Sequence, residues 1–462
     1  MELRKIDRQE ILAILELNED HFNDVKSKRI APAKLQETFV AFANADGGDI
    51  FIGVEDKAEA GERVVGFSEQ EEANGFLSTL LEETNPSVEN LVVEFLEAED
   101  KGLILHIGIP KSPKVHYTAS GDCYIRVNAS KRKIKGDRVT QLAYSKGAEP
   151  YERKALADLE IEDITESKYL QNYMARVKSH LHPEAFLRKQ RLLTKKDGER
   201  VPNVGCVLLF DEEPQATLET RSAVKVYRLR TTEKEYKREQ LAEMPVTING
   251  PVEVVIEQTI SQVSEYIDGA SFEDNGKLVK LSYPSEALKE ILVNAVIHRD
   301  YSLNDDIHVR IFDNRIEIQS PGKLPGYMNL ENLYDERFSR NPNLVRMLHN
   351  LPDPVNHDIG EGLDTAKNEL KKAGLVDPDF DEKDNAFIVT IRHQKLASIE
   401  DVVMQYFEDN PNASMGNKLV RQLSGEDDMQ KVKKALQKLR ANGSIKLVDE
   451  NATPFNYLYT KA

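Results

Sequence analysis

Three carboxylates and a lysine, Glu19, Asp24, Asp56 and Lys26, gather around one short stretch, QETFVAFANADGGDIFIGVED at residues 36–56. Hard oxygen ligands in such a cluster could hold Mg2+ or Mn2+ beside a phosphodiester. The same residues could instead form only the polar rim of a nucleic-acid-binding fold. Positioning them falls to a helix over 34–44, a turn at Gly47–Gly48 and an apolar strand over 50–54 that ends in Glu55 and Asp56.

Bulk properties bound the problem. The 462 residues suggest three or four domains, at roughly 100–200 residues each. Hydrophobic residues make up 40%, enough for ordinary globular cores. No stretch approaches the roughly 18 consecutive apolar residues of a membrane helix. The N-terminus, MELRKIDRQE, has no apolar core of a signal peptide. Cys123 and Cys206 lie far apart, which argues against a disulfide framework or a cysteine metal site. A cytoplasmic protein with no membrane partner is the expectation.

The net charge of −17 argues against non-specific coating of nucleic acid, which neutralises phosphates with Lys and Arg. It leaves room for a local basic face on an acidic body. The densest basic run is Lys131-Arg132-Lys133-Ile134-Lys135, either a solvated loop or an edge that guides phosphates toward the acids.

The pattern of an acid before Val-Lys (24–26), a helix ending FANADGG, then IGVED and a later YIRVNAS (124–130) resembles the Schlafen AlbA-like domain. The resemblance runs from about Glu19 to about Ile134. It implies that Glu19, Asp24 and Asp56 fall where the ribonuclease members carry their acidic triad. This chain has Asp24-Val25-Lys26 where Glu-Phe-Lys is usual, so its first strand acid is shorter by one methylene.

Residues 146–200 are highly charged and helical in pattern. VGCVLLF from Val204 and AVKVYRLR from Ala223 read as two strands. Ile248-Asn249-Gly250-Pro251 marks a stop, followed by a helix with Val255, Ile256, Ile260, Val263 and Ile267 on one side. This part reads as scaffold.

SEALKEILVNAVIHRDYS (285–302) predicts a helix with Ser285 as N-cap. Glu290 and Asn294, four apart, share one face, and His298 follows one turn later. His298-Arg299-Asp300 reads as a structural cluster at the helix C-terminus, where cationic side chains complement the dipole. Strands over 307–311 and 315–318 lead to Ser320-Pro321-Gly322, and DIGEGLDTAKNEL (358–370) carries Gly360 and Gly362. The block is similar to the C-terminal domain of RecG-like proteins, a divergent relative of the GHKL ATP-binding fold. The resemblance implies that Glu290 orients a water and Asn294 holds magnesium. It also places Gly360 and Gly362 in the box where main-chain amides approach phosphates. The adenine-reading aspartate of that fold falls at Ser320-Pro321-Gly322, which has no carboxylate. A nucleotide pocket and a scaffold kept for dimerisation or docking both remain open.

The tail predicts helices over 398–409, 416–423 and 427–442, the last burying Val432, Ala435, Leu436 and Leu439. Asn442-Gly443 then starts a hairpin, IKLV with FNYLY. Three helices and a hairpin make a winged helix, whose third helix turns Lys431, Lys433, Lys434, Lys438 and Arg440 outward. Such a helix enters the DNA major groove or serves protein contacts.

The fold class expected is therefore α+β and multidomain: a Schlafen AlbA-like domain (1–145), an α/β connector (146–275), a GHKL-like α/β sandwich (276–396) and a winged helix (397–462). Expected partners are DNA or RNA and further copies of the chain; expected cofactors are Mg2+ or Mn2+ and ATP. A DNA-binding transcriptional regulator gated by nucleotide leads. A metal-dependent RNA endonuclease of stress or phage defence, with Glu19, Asp24, Lys26 and Asp56 catalytic, is one alternative. A non-enzymatic dimeric scaffold is the other.

Overall fold

The computed structural model describes residues 2–57, 62–233, 235–268, 271–274, 277–280, 282–356, 362–393, 399–411, 413–424, 428–449 and 457–462. Two compact units result, one of Met1–Glu369 with Pro378–Ile391, the other of Leu370–Asp377 with Arg392–Ala462.

The larger unit begins with β1 (Glu2–Lys5), α1 (Arg8–Glu16), β2 (Asn23–Lys26), α2 (Pro32–Ala43), β3 (Gly48–Ile52), α3 (Asn74–Leu81), β4 (Val92–Glu97) and β5 (Leu103–Ile109). The five strands form one sheet in the order β1-β4-β5-β3-β2. β2 and β3 are parallel, with Asp24 opposite Ile50 and Lys26 opposite Ile52. Parallel neighbours need a crossover, and α2 supplies it. Pro32 starts that helix, where the missing N–H costs nothing. Leu35, Phe39, Val40 and Phe42 of α2 are fully buried against Ile50, Ile52, Leu105 and Ile107. Burying each of these side chains contributes roughly 1.5–3 kcal/mol. The opposite face of the sheet is partly covered by α1 through Ile11 and Ile14 packed with Leu96 and Ile104.

The FANADGG motif has a structural account. Asn44 donates through Nδ2 to the carbonyls of His116 (2.8 Å) and Tyr124 (2.9 Å) and accepts from His116 N (2.8 Å). Gly47 and Gly48 have φ of 82° and 146°, and a Cβ on either would sit 2.4 Å from a backbone oxygen, of Ile109 or of Phe22. Only glycine meets both demands. A hairpin, β6 (Cys123–Val127) with β7 (Ser130–Ile134), closes the module, and α4 (Asp137–Lys146) leads away.

The connector holds α5 (Ile161–Thr165), α6 (Lys168–Arg176), α7 (Pro183–Lys189), the hairpin β8 (Leu193–Lys196) and β9 (Glu199–Pro202), α8 (Val204–Phe210) and α9 (Pro214–Thr217). VGCVLLF is thus a helix, not the expected strand. Asn203 caps it by accepting from Cys206 N at 3.0 Å, and every one of its residues is buried. A run apolar on all sides carries no period, so helix and strand look alike in sequence.

Next come β10 (Val224–Arg228), β11 (Val246–Ile248), α10 (Val252–Asp268), the hairpin β12 (Ser271–Asp274) and β13 (Lys277–Lys280), and α11 (Ser285–Ile297). They continue into β14 (Ile307–Ile311), β15 (Arg315–Pro321), α12 (Pro342–His349), α13 (Gly362–Lys372), β16 (Asp379–Lys383) and β17 (Ala386–Arg392). A six-stranded sheet runs β11-β10-β14-β15-β17-β16. Strands from both sides of the expected 275/276 boundary therefore share one sheet, with β10 parallel to β14. The connector also caps α12: the buried Glu152 carboxylate accepts from Asn343 N (2.7 Å) and Leu344 N (3.0 Å). Ser285 is the first residue of α11 rather than its cap, a place Pro284 takes without a side-chain bond.

The smaller unit contains α14 (Ile399–Asp409), β18 (Met415–Gly416), α15 (Asn417–Ser424), α16 (Met429–Ala441), β19 (Ile445–Leu447) and β20 (Leu458–Lys461). Its sheet has three strands, β18-β20-β19, one more than the expected hairpin. Val403, Phe407, Val420, Val432, Leu436 and Tyr459 form its core.

Candidate functional site

In the first sheet the acids meet cations as well as one another. Asp24 is buried; its Oδ2 lies 3.0 Å from Arg126 Nη1, and its Oδ1 contacts Lys26 Nζ. Lys26 bridges on to Glu19 Oε1 at 2.8 Å. Burial pulls the Lys26 ammonium down, but Asp24 and Glu19 outweigh it and leave its pKa above the usual range. Burial, with Asp24 close by, raises the Glu19 carboxyl. Asp56 lies past the end of β3 and is exposed. Among the described residues no group of three His, Cys, Asp or Glu is placed to hold a metal. Glu19, Asp24 and Asp56 are thus not gathered into such a group. Arg126, which no sequence argument singled out, holds Asp24 instead. Its guanidinium also donates to Asp20 O (2.7 Å) and Asn23 O (3.1 Å) and stacks 4.2 Å over Phe42. A buried acid on β2 and an arginine in YIRVNAS were the available signal, since a buried carboxylate requires a partner.

The basic run is largely occupied. Lys131 pairs with Glu37 at 3.0 Å and donates to Lys34 O at 2.9 Å. Lys133 pairs with Asp122 at 2.6 Å, while Arg132 is exposed.

The second sheet presents a cavity of about 360 Å³. Glu290, Asn294 and His298 reach it from one face of α11. Gly362 and Asp364 come from the first turn of α13, Ser320 from β15, and the segment 322–341 forms a further wall. A Cβ on Gly362 would stand 2.7 Å from Glu290 Oε2 and 3.2 Å from Asn294 Nδ2. The spacing in sequence and the meeting in space agree here: Glu290, Asn294 and Gly362 come together. Gly360 lies outside the described residues. Much of the remaining wall is apolar, including Ile318, Leu324, Met328 and Phe387, which suits a flat organic ligand.

His298-Arg299-Asp300 is a structural cluster, although not through the helix dipole. Burial, with Arg340 adding repulsion, pushes the His298 imidazole down to about 4, so it is neutral at pH 7. Arg299 is fully buried and donates to Arg221 O (2.5 Å) and Leu303 O (3.1 Å). The C-terminal carbonyls of α11 are met instead by Asn341 Nδ2, at 3.0 Å from Ile297 O and 2.8 Å from Arg299 O. Asp300 pairs with buried Arg340 at 3.1 Å.

In the smaller unit α16 buries Val432, Ala435, Leu436 and Leu439 and exposes Lys431, Lys433, Lys434, Lys438 and Arg440. Asp428 caps its start by accepting from Gln430 N at 2.8 Å. Lys438 pairs with Glu400 of α14 at 2.9 Å.

Residues 19–135 match the family described as Schlafen, AlbA_2. Residues 304–391 match the one described as "Putative ATP-dependent DNA helicase recG C-terminal". The chain joins a Schlafen AlbA_2 domain to a RecG-like C-terminal domain. No curated protein matches it. Among solved structures, the DIP2311 protein from Corynebacterium diphtheriae aligns over 98% of this chain and 97% of its own, at 16% identity and a TM-score of 0.41. The AlbA_2 match takes in the whole of β2 through β7, and with it Arg126 and the acids it neutralises. The RecG-like match begins after α11, so Glu290 and Asn294 lie outside it and join its cavity from the preceding helix. No described helix is long and apolar enough to cross a membrane.

Proposed function

We propose that this protein is a nucleic-acid-binding regulator whose RecG-like domain takes a nucleotide. The observation that carries the reading is the meeting of Glu290, Asn294 and a side-chain-free Gly362 on the wall of one cavity. Mg2+ would neutralise charge on the phosphates when bound, with Asn294 the side chain to hold it. Glu290 would accept a proton from, or orient, a water at the ligand's anionic end. The amides at the start of α13 favour negative charge there. The neutral His298 adds no charge of its own to this wall.

For nucleic acid we assign the main contact to the smaller unit, read as a winged helix. Its order of helix, strand, two helices and two strands supports that reading, as does the lysine-lined outer face of α16. A DNA-binding role in transcription fits this module better than RNA cleavage by the first domain, where Arg126 and Lys26 already neutralise Asp24.

The test has two arms on the full chain. Mg2+-dependent thermal stabilisation by ATP, abolished by Asn294→Ala, supports the cavity reading; no shift at millimolar ATP defeats it. Labelled duplex DNA and single-stranded RNA are titrated in parallel, with Mn2+ or with chelator. Cleavage of the RNA that Asp24→Ala removes would return the first domain to the role of nuclease.

A further inference from the structure

The segment 322–341, between β15 and α12, has both of its sides in use. On one side Lys323, Leu324, Met328 and Phe338 line the cavity. On the other the AlbA_2 module and α4 hold it. Lys111 Nζ donates to Leu324 O at 2.8 Å, Gly326 N donates to Lys146 O at 2.9 Å, and Arg340 Nη2 donates to Ser145 O at 3.0 Å. Lys323 belongs to both sides. It stands on the cavity wall, and its ammonium lies 3.5 Å from Asp46 Oδ2.

Asp46 is the acid of FANADGG, the motif residue that neither the acidic cluster nor the turn geometry uses. It gathers three cationic or proton-bearing partners: Lys323, Lys111 Nζ at 3.6 Å and His21 Nε2 at 2.9 Å. His21 sits between Glu19 and Asp24, in the loop of the acidic cluster. Burial would raise the Asp46 carboxyl, but Lys323, Lys111 and His21 outweigh burial and hold it below the usual range. Among the described residues, two side chains on the cavity wall carry a fixed positive charge, Lys323 and Arg337. Of these, Lys323 is the one with a carboxylate of the other module at 3.5 Å. Its side chain is 44% exposed, so the ammonium can leave Asp46 without an uncompensated burial.

We propose that Lys323 receives the phosphate-bearing end of the cavity's ligand and that Asp46 of the AlbA_2 module competes for it. This rests on the nucleotide reading above. A polyphosphate in the cavity draws Lys323 away and leaves Asp46 to His21 and Lys111, which changes the electrostatic setting of the loop over 19–24. Linkage makes the effect reciprocal: whatever neutralises Asp46 tightens the cavity's hold on its ligand by the same factor.

The experiment is a mutant cycle on the full chain, with affinities for MgATP and for adenosine measured by calorimetry. Asp46→Asn is expected to tighten MgATP about threefold, the scale of a partly exposed ion pair. Lys323→Gln is expected to weaken it about tenfold, the scale of a hydrogen bond to a charged group. In the Lys323→Gln background Asp46→Asn should change nothing. Adenosine, lacking phosphates, should bind wild type and Lys323→Gln equally. MgATP binding that Asp46→Asn leaves unaltered overturns the competition while the nucleotide reading stands. Equal losses of ATP and adenosine in Lys323→Gln overturn the phosphate role, and this arm decides even if Asp46→Asn does not fold. Failure of the wild type to bind MgATP overturns the nucleotide reading and the proposal with it.

Discussion

Two groups of acidic and polar residues, each read from sequence as a site, meet opposite fates in the fold. Around β2 and β3, Asp24 is buried and claimed by Arg126 and Lys26, so its charge is balanced within the module. Around α11 and α13, Glu290 and Asn294 face a cavity that a single methyl at Gly362 would invade. Acid spacing is therefore weak evidence for chemistry. What separates the two regions is whether the polar groups are packed within the module or line a cavity with room for a ligand. The basic groups repeat the lesson: Lys131 and Lys133 of β7 are paired with Glu37 and Asp122, while Lys433 and Lys434 stand outward on α16.

The sharpest way to break the comparison is to remove Arg126. Arg126→Met leaves Asp24 buried with a single cation, and should destabilise the AlbA_2 module by about 3–5 kcal/mol in urea unfolding. A loss below about 1 kcal/mol would mean that Asp24 is not held as a structural pair and would reopen its use as a ligand.

Next in size is the cavity. At ATP one hundred times its dissociation constant, binding stabilises the native chain by about 2.7 kcal/mol. Gly362→Ala, whose Cβ would stand 2.7 Å from Glu290 Oε2, should abolish that gain while leaving the ligand-free melting point nearly unchanged. An undiminished ATP shift in Gly362→Ala would remove the steric argument on which the site rests.

Acid titration distinguishes the regions more finely. The His298 imidazole is pushed down to about 4 in the folded chain, from an ordinary value near 6.5. The unfolded chain therefore binds the extra proton first. The stability that the neutral imidazole contributes is complete above about pH 6.5 and is lost as pH falls toward 4. That loss should amount to about 3 kcal/mol, and His298→Gln should flatten the slope in this window. An unchanged slope would locate the acid sensitivity elsewhere.

The basic faces give a smaller and more specific contrast. Lys433→Glu with Lys434→Glu should weaken duplex binding and lower the slope of log K against log salt by about 2, one for each phosphate left unneutralised. Lys131→Ala should leave the slope unchanged, because its ammonium is held by Glu37. The smallest effect is expected from exposed Asp56→Ala, within about 0.5 kcal/mol of wild type.

Much of this was legible in the chain itself. Helical period located α2, α11 and α16, because an amphipathic segment records its own environment. The four-residue spacing of Glu290 and Asn294 ensured a shared face wherever the helix went, as i,i+4 geometry is local. The glycines of FANADGG marked a turn, and the one at the start of α13 belonged to a glycine-rich string. What the tertiary structure alone decided was every long-range pairing. Arg126 reaches Asp24 across 102 residues and Lys323 lies against Asp46, contacts that no periodicity encodes. Likewise, β10 and β11 join β14 across a boundary drawn from composition, and the fully buried VGCVLLF forms a capped helix rather than the expected strand. Local spacing determines which side chains can act together on one element. Whether they are packed into a module or line a cavity depends on partners that folding brings from distant sequence.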